Sequence, residues 1–85
     1  MIVINPLGLH ARAAAQLVRL AATFESRITL YRNDDGRLAN AKSILSLLAL
    51  AASRGTIVRL EVDGQDEKIA FDAVEVLFSS GFGEL

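Results

Sequence analysis

A single histidine, His10, stands two residues before an arginine, Arg12, at the point where a turn gives way to a helix. Pro6 and Gly8 mark the turn, and Ala13-Ala14-Ala15-Gln16-Leu17-Val18 opens a strongly helical, amphipathic run. The first amides of a helix have no internal partners, and the helix dipole leaves partial positive charge on them. Most helices answer with Asp or Glu. This one offers Arg12, and no acidic residue occurs from Leu9 to Phe24. Two sources of positive potential beside an imidazole point to an anion supplied from outside, and a phosphoryl group suits both amides and guanidinium. An uncharged imidazole has a lone pair and attacks phosphorus, and positive surroundings favour the uncharged ring. A phosphate carried by His10 would then lie against the amides of Ala11 and Arg12 and the Arg12 guanidinium, with no metal required. The plainer alternative makes His10 a helix cap and Arg12 the first member of a polar stripe.

A second helix start repeats the pattern. Lys42 precedes Ser43, and Ser43 precedes Ile44-Leu45, again with no acid nearby. Serine there is what an N-cap looks like, and spacing alone favours capping. The functional alternative is a phosphorylation site whose phosphate meets the amides of Ile44 and Leu45 and the Lys42 ammonium. The last helix starts with Asp66-Glu67, the ordinary electrostatic choice, and so serves as an internal contrast.

The elements that must position these residues are legible from periodicity. Residues 1–4 form a short apolar strand. Residues 12–24 form a helix with Ala13, Leu17, Leu20, Ala21 and Phe24 on one side and Arg12, Gln16, Arg19 and Thr23 on the other. Residues 26–32 alternate as a half-buried strand, residues 33–36 (Asn-Asp-Asp-Gly) turn, and residues 37–41 return as the second arm of a hairpin. A short helix spans 44–52, an alternating strand 56–62, and a last helix 66–80 with Ile69, Ala70, Ala73, Val74 and Leu77 inward and Gly81 as its C-cap. The order βαββαβα predicts an α+β fold: a two-layer, open-faced sandwich with a four-stranded antiparallel sheet and all three helices on one face. The middle helix is apolar all round. Leu47, Leu50 and Ala51 suit the core, which leaves Ile44, Leu45 and Leu48 (with Ala52) either as an exposed docking patch or as part of a core that wraps further round.

Eighty-five residues allow one domain, residues 1–85. The absence of cysteine excludes disulfides, thiolate metal sites and a cysteine nucleophile. A net charge of −1 from mixed acids and bases argues against nucleic acid as a partner. The apolar stretch 44–52 is too short to span a bilayer, and residues 1–4 lack the features of a signal peptide, so a cytoplasmic location is expected.

With His10, Arg12 and Ser43 in place, the chain resembles the HPr phosphocarriers of the bacterial phosphoenolpyruvate-dependent phosphotransferase system. The resemblance rests on Gly8-Leu9-His10-Ala11-Arg12, then Ala41-Lys42-Ser43-Ile44, then Arg54-Gly55-Thr56, and runs over nearly the whole chain. It implies a carrier that takes a phosphoryl group from enzyme I onto His10, at Nδ1, and passes it to a sugar-specific or regulatory IIA-type acceptor. It further implies that Arg12 neutralises the phosphate, that Ser43 is the regulatory serine of an HPr kinase, and that Ala15, Arg19, Ile44, Leu45 and Leu48 dock partners. No cofactor or metal is implied, and the protein is expected to act as a monomer. Three departures from the family pattern stand out: Ala13 where proline is usual, a short first strand, and a hairpin turn about two residues longer. A regulatory binding module controlled at Ser43 is the alternative to the carrier. A true enzyme is disfavoured by the single histidine and the small size.

Overall fold

The structure, a computed structural model, describes residues 1–84. Its sheet follows from the alternating segments. Strand β1 (Arg27–Arg32) turns Ile28 and Leu30 inward and pairs antiparallel with β2 (Leu38–Asn40) on one side and β3 (Val58–Asp63) on the other. The outward residues are matched across the β1–β3 ladder. Arg27 sits opposite Asp63 and pairs with it at 3.1 Å, and the Arg59 guanidinium lies 4.4 Å from the centre of the Tyr31 ring opposite. Cross-strand pairs of this kind suit a solvated sheet face.

The sheet has three strands among the described residues, not the four expected. The first segment contributes a single bridge, Ile2 to Ile57, flanked by bonds of Met1 to Val58 and of Val3 to Gly55 and Thr56. Those partners are just leaving a turn, and the Asn5-Pro6 turn draws the first segment away, so no second regular rung forms.

Three helices cover the inner face. Helix α1 (Ala11–Ala21) packs on α2 (Ile44–Leu50) and α3 (Glu67–Ser79), while α2 lies on β2 and α3 on β3. Their shared core holds Leu17, Ile28, Leu30, Leu47, Leu50, Val74 and Phe78, all buried. The stripe of α3 runs through Ala70, Val74 and Phe78 at four-residue spacing, which rotates Ile69 out to 68% exposure, against expectation.

Helix α2 stops at Leu50 because Ala51 adopts a left-handed conformation (φ 55°, ψ 39°). For a residue with a Cβ that costs roughly 1–2 kcal/mol. The reversal carries Ala51 out to solvent and Ala52 into the core, the opposite of the helical expectation for both. Helix α1 likewise ends short of residue 24, as Thr23 and Phe24 close tighter turns onto Leu20 and Ala21. At the start of α3, Asp66 makes no capping bond with its own helix. Its carboxylate accepts from the amides of Glu25 (2.9 Å) and Ser26 (3.0 Å) and from the Ser26 hydroxyl, tying α3 to the entry of β1. These bonds, led by that from the Ser26 hydroxyl, hold the Asp66 carboxyl below its usual range.

Candidate functional site

The loop that presents His10 depends on one glycine. Gly8 has φ +66°, and a Cβ there would lie 2.6 Å from the Ala52 carbonyl oxygen and 2.8 Å from Ser53 Cα. Only glycine tolerates both the conformation and the approach. The close approach lets the Leu9 amide donate to the Ala52 carbonyl at 2.9 Å, while the His10 amide turns back to the Gly8 carbonyl at 2.8 Å. Asn5 braces the same loop from inside. It is fully buried, and its Nδ2 donates to the Gly8 carbonyl at 2.7 Å.

His10 is the N-cap of α1, with extended backbone (φ −75°, ψ −178°), and Ala13 lies buried within the first turn. The amide of Arg12 donates to His10 Nδ1 at 3.4 Å, so Nδ1 and its lone pair face the helix N-terminus. The cap reading and the functional reading therefore describe one geometry. With Nδ1 accepting, the ring proton belongs on Nε2, which donates to Glu84 Oε2 at 2.5 Å. The ring is partly open to solvent, its side chain 26% exposed. The Arg12 side chain is exposed and makes no bond to a carboxylate among the described residues.

Glu84 and Asn5 were not singled out from the sequence. The chain folds back after α3 through a 3-10 turn, Gly81–Gly83, with Phe82 buried and its ring edge-to-face with Phe78 at 5.0 Å. Gln16 of α1 donates to the Phe82 carbonyl at 3.2 Å. This anchoring delivers Glu84 to His10, where Asn5 Nδ2 also donates to Glu84 Oε1 at 3.3 Å. The bond from His10 holds the Glu84 carboxyl below its usual range, and the Asn5 amide acts in the same direction. The legible signal was Phe82, a large aromatic just past the Gly81 cap, which has to find a buried place and so bends the chain back.

The second helix start differs. Ser43 Oγ accepts from the Ser46 amide at 3.3 Å, an ordinary N-cap bond. Lys42 does not attend it, because its Nζ donates to the Phe24 carbonyl at 2.7 Å, beyond the end of α1. The cation expected beside Ser43 is bound elsewhere. Around this start, Ile44, Leu45 and Leu48 are exposed (39%, 76% and 38%), so of the two readings of α2 the open patch is the one found. On α1, Arg19 is exposed and Ala15 partly so.

Comparison with known proteins places the whole chain in a family. A family model described as the PTS HPr component phosphorylation site matches residues 1–80. This chain belongs to that family. The phosphocarrier protein HPr of Xylella fastidiosa (strain 9a5c) is 49% identical over 84 residues, covering 99% of this chain and 92% of its own. The phosphocarrier protein NPr of Proteus mirabilis is 46% identical over 80 residues, covering 94% of this chain and 88% of its own. The crystal structure of HPr-C-His from Thermoanaerobacter tengcongensis superposes with a TM-score of 0.92 at 40% identity, covering all of this chain and 93% of that one. The family is one of phosphocarriers of the phosphotransferase system, which are carriers and not catalysts.

Proposed function

We propose that the protein is a single-domain phosphoryl carrier that accepts a phosphoryl group from enzyme I on His10 Nδ1 and hands it to a IIA-type acceptor. One observation carries this reading: His10 Nδ1 points its lone pair at the α1 N-terminus while Nε2 is held by Glu84. In the forward step the lone pair attacks phosphorus, and the bond from phosphorus to the donor breaks with its electron pair leaving on the donor. Positive charge develops on the ring, and the Glu84 carboxylate at Nε2 stabilises it. The Arg12 amide gives up its bond to Nδ1 as the lone pair attacks, and the phosphoryl oxygens then meet the first amides of α1 and the Arg12 guanidinium. Transfer onward is the reverse, with the acceptor taking the phosphoryl group and the lone pair returning to Nδ1.

A carrier meets donor and acceptor in succession, so its surface needs weak, fast binding. Ile44, Leu45 and Leu48, with Ala15 and Arg19, serve as that surface, and Ser43 at its margin is a place where an HPr kinase would alter partner choice. A small monomer in the cytoplasm, where phosphoenolpyruvate is made, fits this role. No described helix is long and apolar enough to cross a membrane.

Incubation with enzyme I and labelled phosphoenolpyruvate tests the reading. Acid-labile label on the wild type, absent from His10→Ala, is expected. Label that persists in His10→Ala, or never appears on the wild type, rejects it. Acid-stable label that needs ATP and a kinase, and is lost in Ser43→Ala, would mark the separate regulatory role.

A further inference from the structure

Arg32, the last residue of β1, lies outside the site yet is held on two sides at once. Its Nε and Nη2 grip the Asp34 carboxylate at 3.0 and 2.7 Å, with Asp35 at 3.8 Å. Its Nη1 donates to the carbonyls of Leu50 (3.1 Å) and Ala51 (3.3 Å) at the end of α2. A two-point grip on a carboxylate fixes the planar guanidinium, so the remaining donors are aimed before they meet the helix. Helix α2 has no basic residue in its own last turn, and Arg32 supplies the cation that a helix C-terminus favours.

The residue under that guanidinium is strained. Ala51 has φ 55° with a Cβ present, a conformation that persists only where neighbours over-determine it. Arg32 holds the Ala51 carbonyl, and the next carbonyl, that of Ala52, accepts from the Leu9 amide beside His10. Gly8 also rests against Ala52 and Ser53. The His10 loop thus stands on a stretch of backbone whose strained residue is steadied by Arg32. We infer that Arg32, braced by the Asp34-Asp35 hairpin turn, is a positioning residue for His10. The inference rests on the carrier reading for its functional consequence, and gives the hairpin turn a purpose: it places Asp34 where Arg32 grips it.

Three variants test this: Arg32→Met, the milder Asp34→Asn, and Arg32→Met combined with Ala51→Gly. Two measurements are made on each, amide hydrogen exchange and the kinetics of labelling by enzyme I and phosphoenolpyruvate. In Arg32→Met the Leu9 amide is expected to exchange about tenfold faster while Leu30 in the sheet is unchanged. The turnover for phosphoryl uptake is expected to fall about tenfold with KM little altered, and Asp34→Asn to fall less. Glycine adopts the left-handed turn without strain, so Ala51→Gly should restore most of the loss.

Equal acceleration of Leu9 and Leu30 would mean general destabilisation and overturn the proposal. So would a raised KM that Ala51→Gly leaves alone, since that marks a surface charge acting on partner binding. Unchanged Leu9 exchange and transfer in folded Arg32→Met and Asp34→Asn would overturn it too. A wild type that takes no label sinks the carrier reading, and the Leu9 exchange alone then decides whether the strut exists.

Discussion

The starts of α1 and α2 look alike in sequence and diverge in structure. Each has a polar cap, no acid in the first turn and a cation alongside. At α1 the cap is an imidazole whose other nitrogen is bound by Glu84, and Arg12 stands exposed with no carboxylate partner among the described residues. At α2 the cap is a serine closing its own first turn, and Lys42 is spent on the Phe24 carbonyl. A misplaced cation is therefore not in itself a sign of an anion site. What distinguishes α1 is that its cation makes no bond to a carboxylate among the described residues, while its cap is an imidazole whose Nδ1 lone pair faces the helix start.

The sharpest way to break this contrast is Arg12→Glu. Removing one preorganised positive group and adding a negative one should slow labelling of His10 by about 10²–10³-fold, with the melting temperature nearly unchanged. Near-normal labelling would erase the difference between the two helix starts.

Glu84→Gln probes the other side of the imidazole. Exchanging a charged acceptor for a neutral one should slow transfer by roughly tenfold and change the nitrogen chemical shifts of His10. It also carries a pH signature. The Glu84 carboxyl is lowered below 4.5 by the bond from His10, so its contribution to stability is fully present above that pH. It is lost as the pH falls through the lower folded value. Acid titrations of stability should show this loss in the wild type and a flatter course in Glu84→Gln. Identical acid profiles would remove Glu84 from the account.

Ser43→Asp places charge beside Ile44, Leu45 and Leu48. Affinity for enzyme I, measured by calorimetry, should drop by about tenfold if that patch docks the donor. Unchanged affinity would move the docking surface elsewhere.

The smallest effect is expected from Lys42→Ala. Losing one charged hydrogen bond to the Phe24 carbonyl should cost about 1–2 kcal/mol, read as a lower melting temperature, while labelling of His10 stays normal. A transfer defect in this variant would show that Lys42 serves the site after all.

Much of the candidate site's geometry was legible because it is local. Gly8, His10 and Arg12 lie within five residues, and a turn leading into an amphipathic helix leaves little freedom in how they meet. The helices and β1–β3 were legible for the same reason, since periodicity reports which face is buried. The misses have a common origin in long-range contact. Ile69 and Ala51 looked inward on a helical wheel, but helix rotation and a left-handed cap decided otherwise. Lys42 looked like a partner of Ser43 until the end of α1 took its ammonium. The edge strand was reduced to one bridge because the Asn5-Pro6 turn and the turn before β3 diverge there.

By itself, then, the order of residues determined three helices and an antiparallel sheet, and put an imidazole at a helix start next to a guanidinium. Those outcomes need only neighbours in the chain, through backbone preference, capping and the period of apolar side chains. Tertiary structure decided which ring nitrogen faces the helix start, because the group that binds the other nitrogen is 74 residues away in the chain. It also decided which of two similar cations is bound to a distant carbonyl and which stands exposed with no carboxylate among the described residues. Both depend on where a folded chain brings distant carboxylates and carbonyls, and no spacing along the sequence encodes that distance.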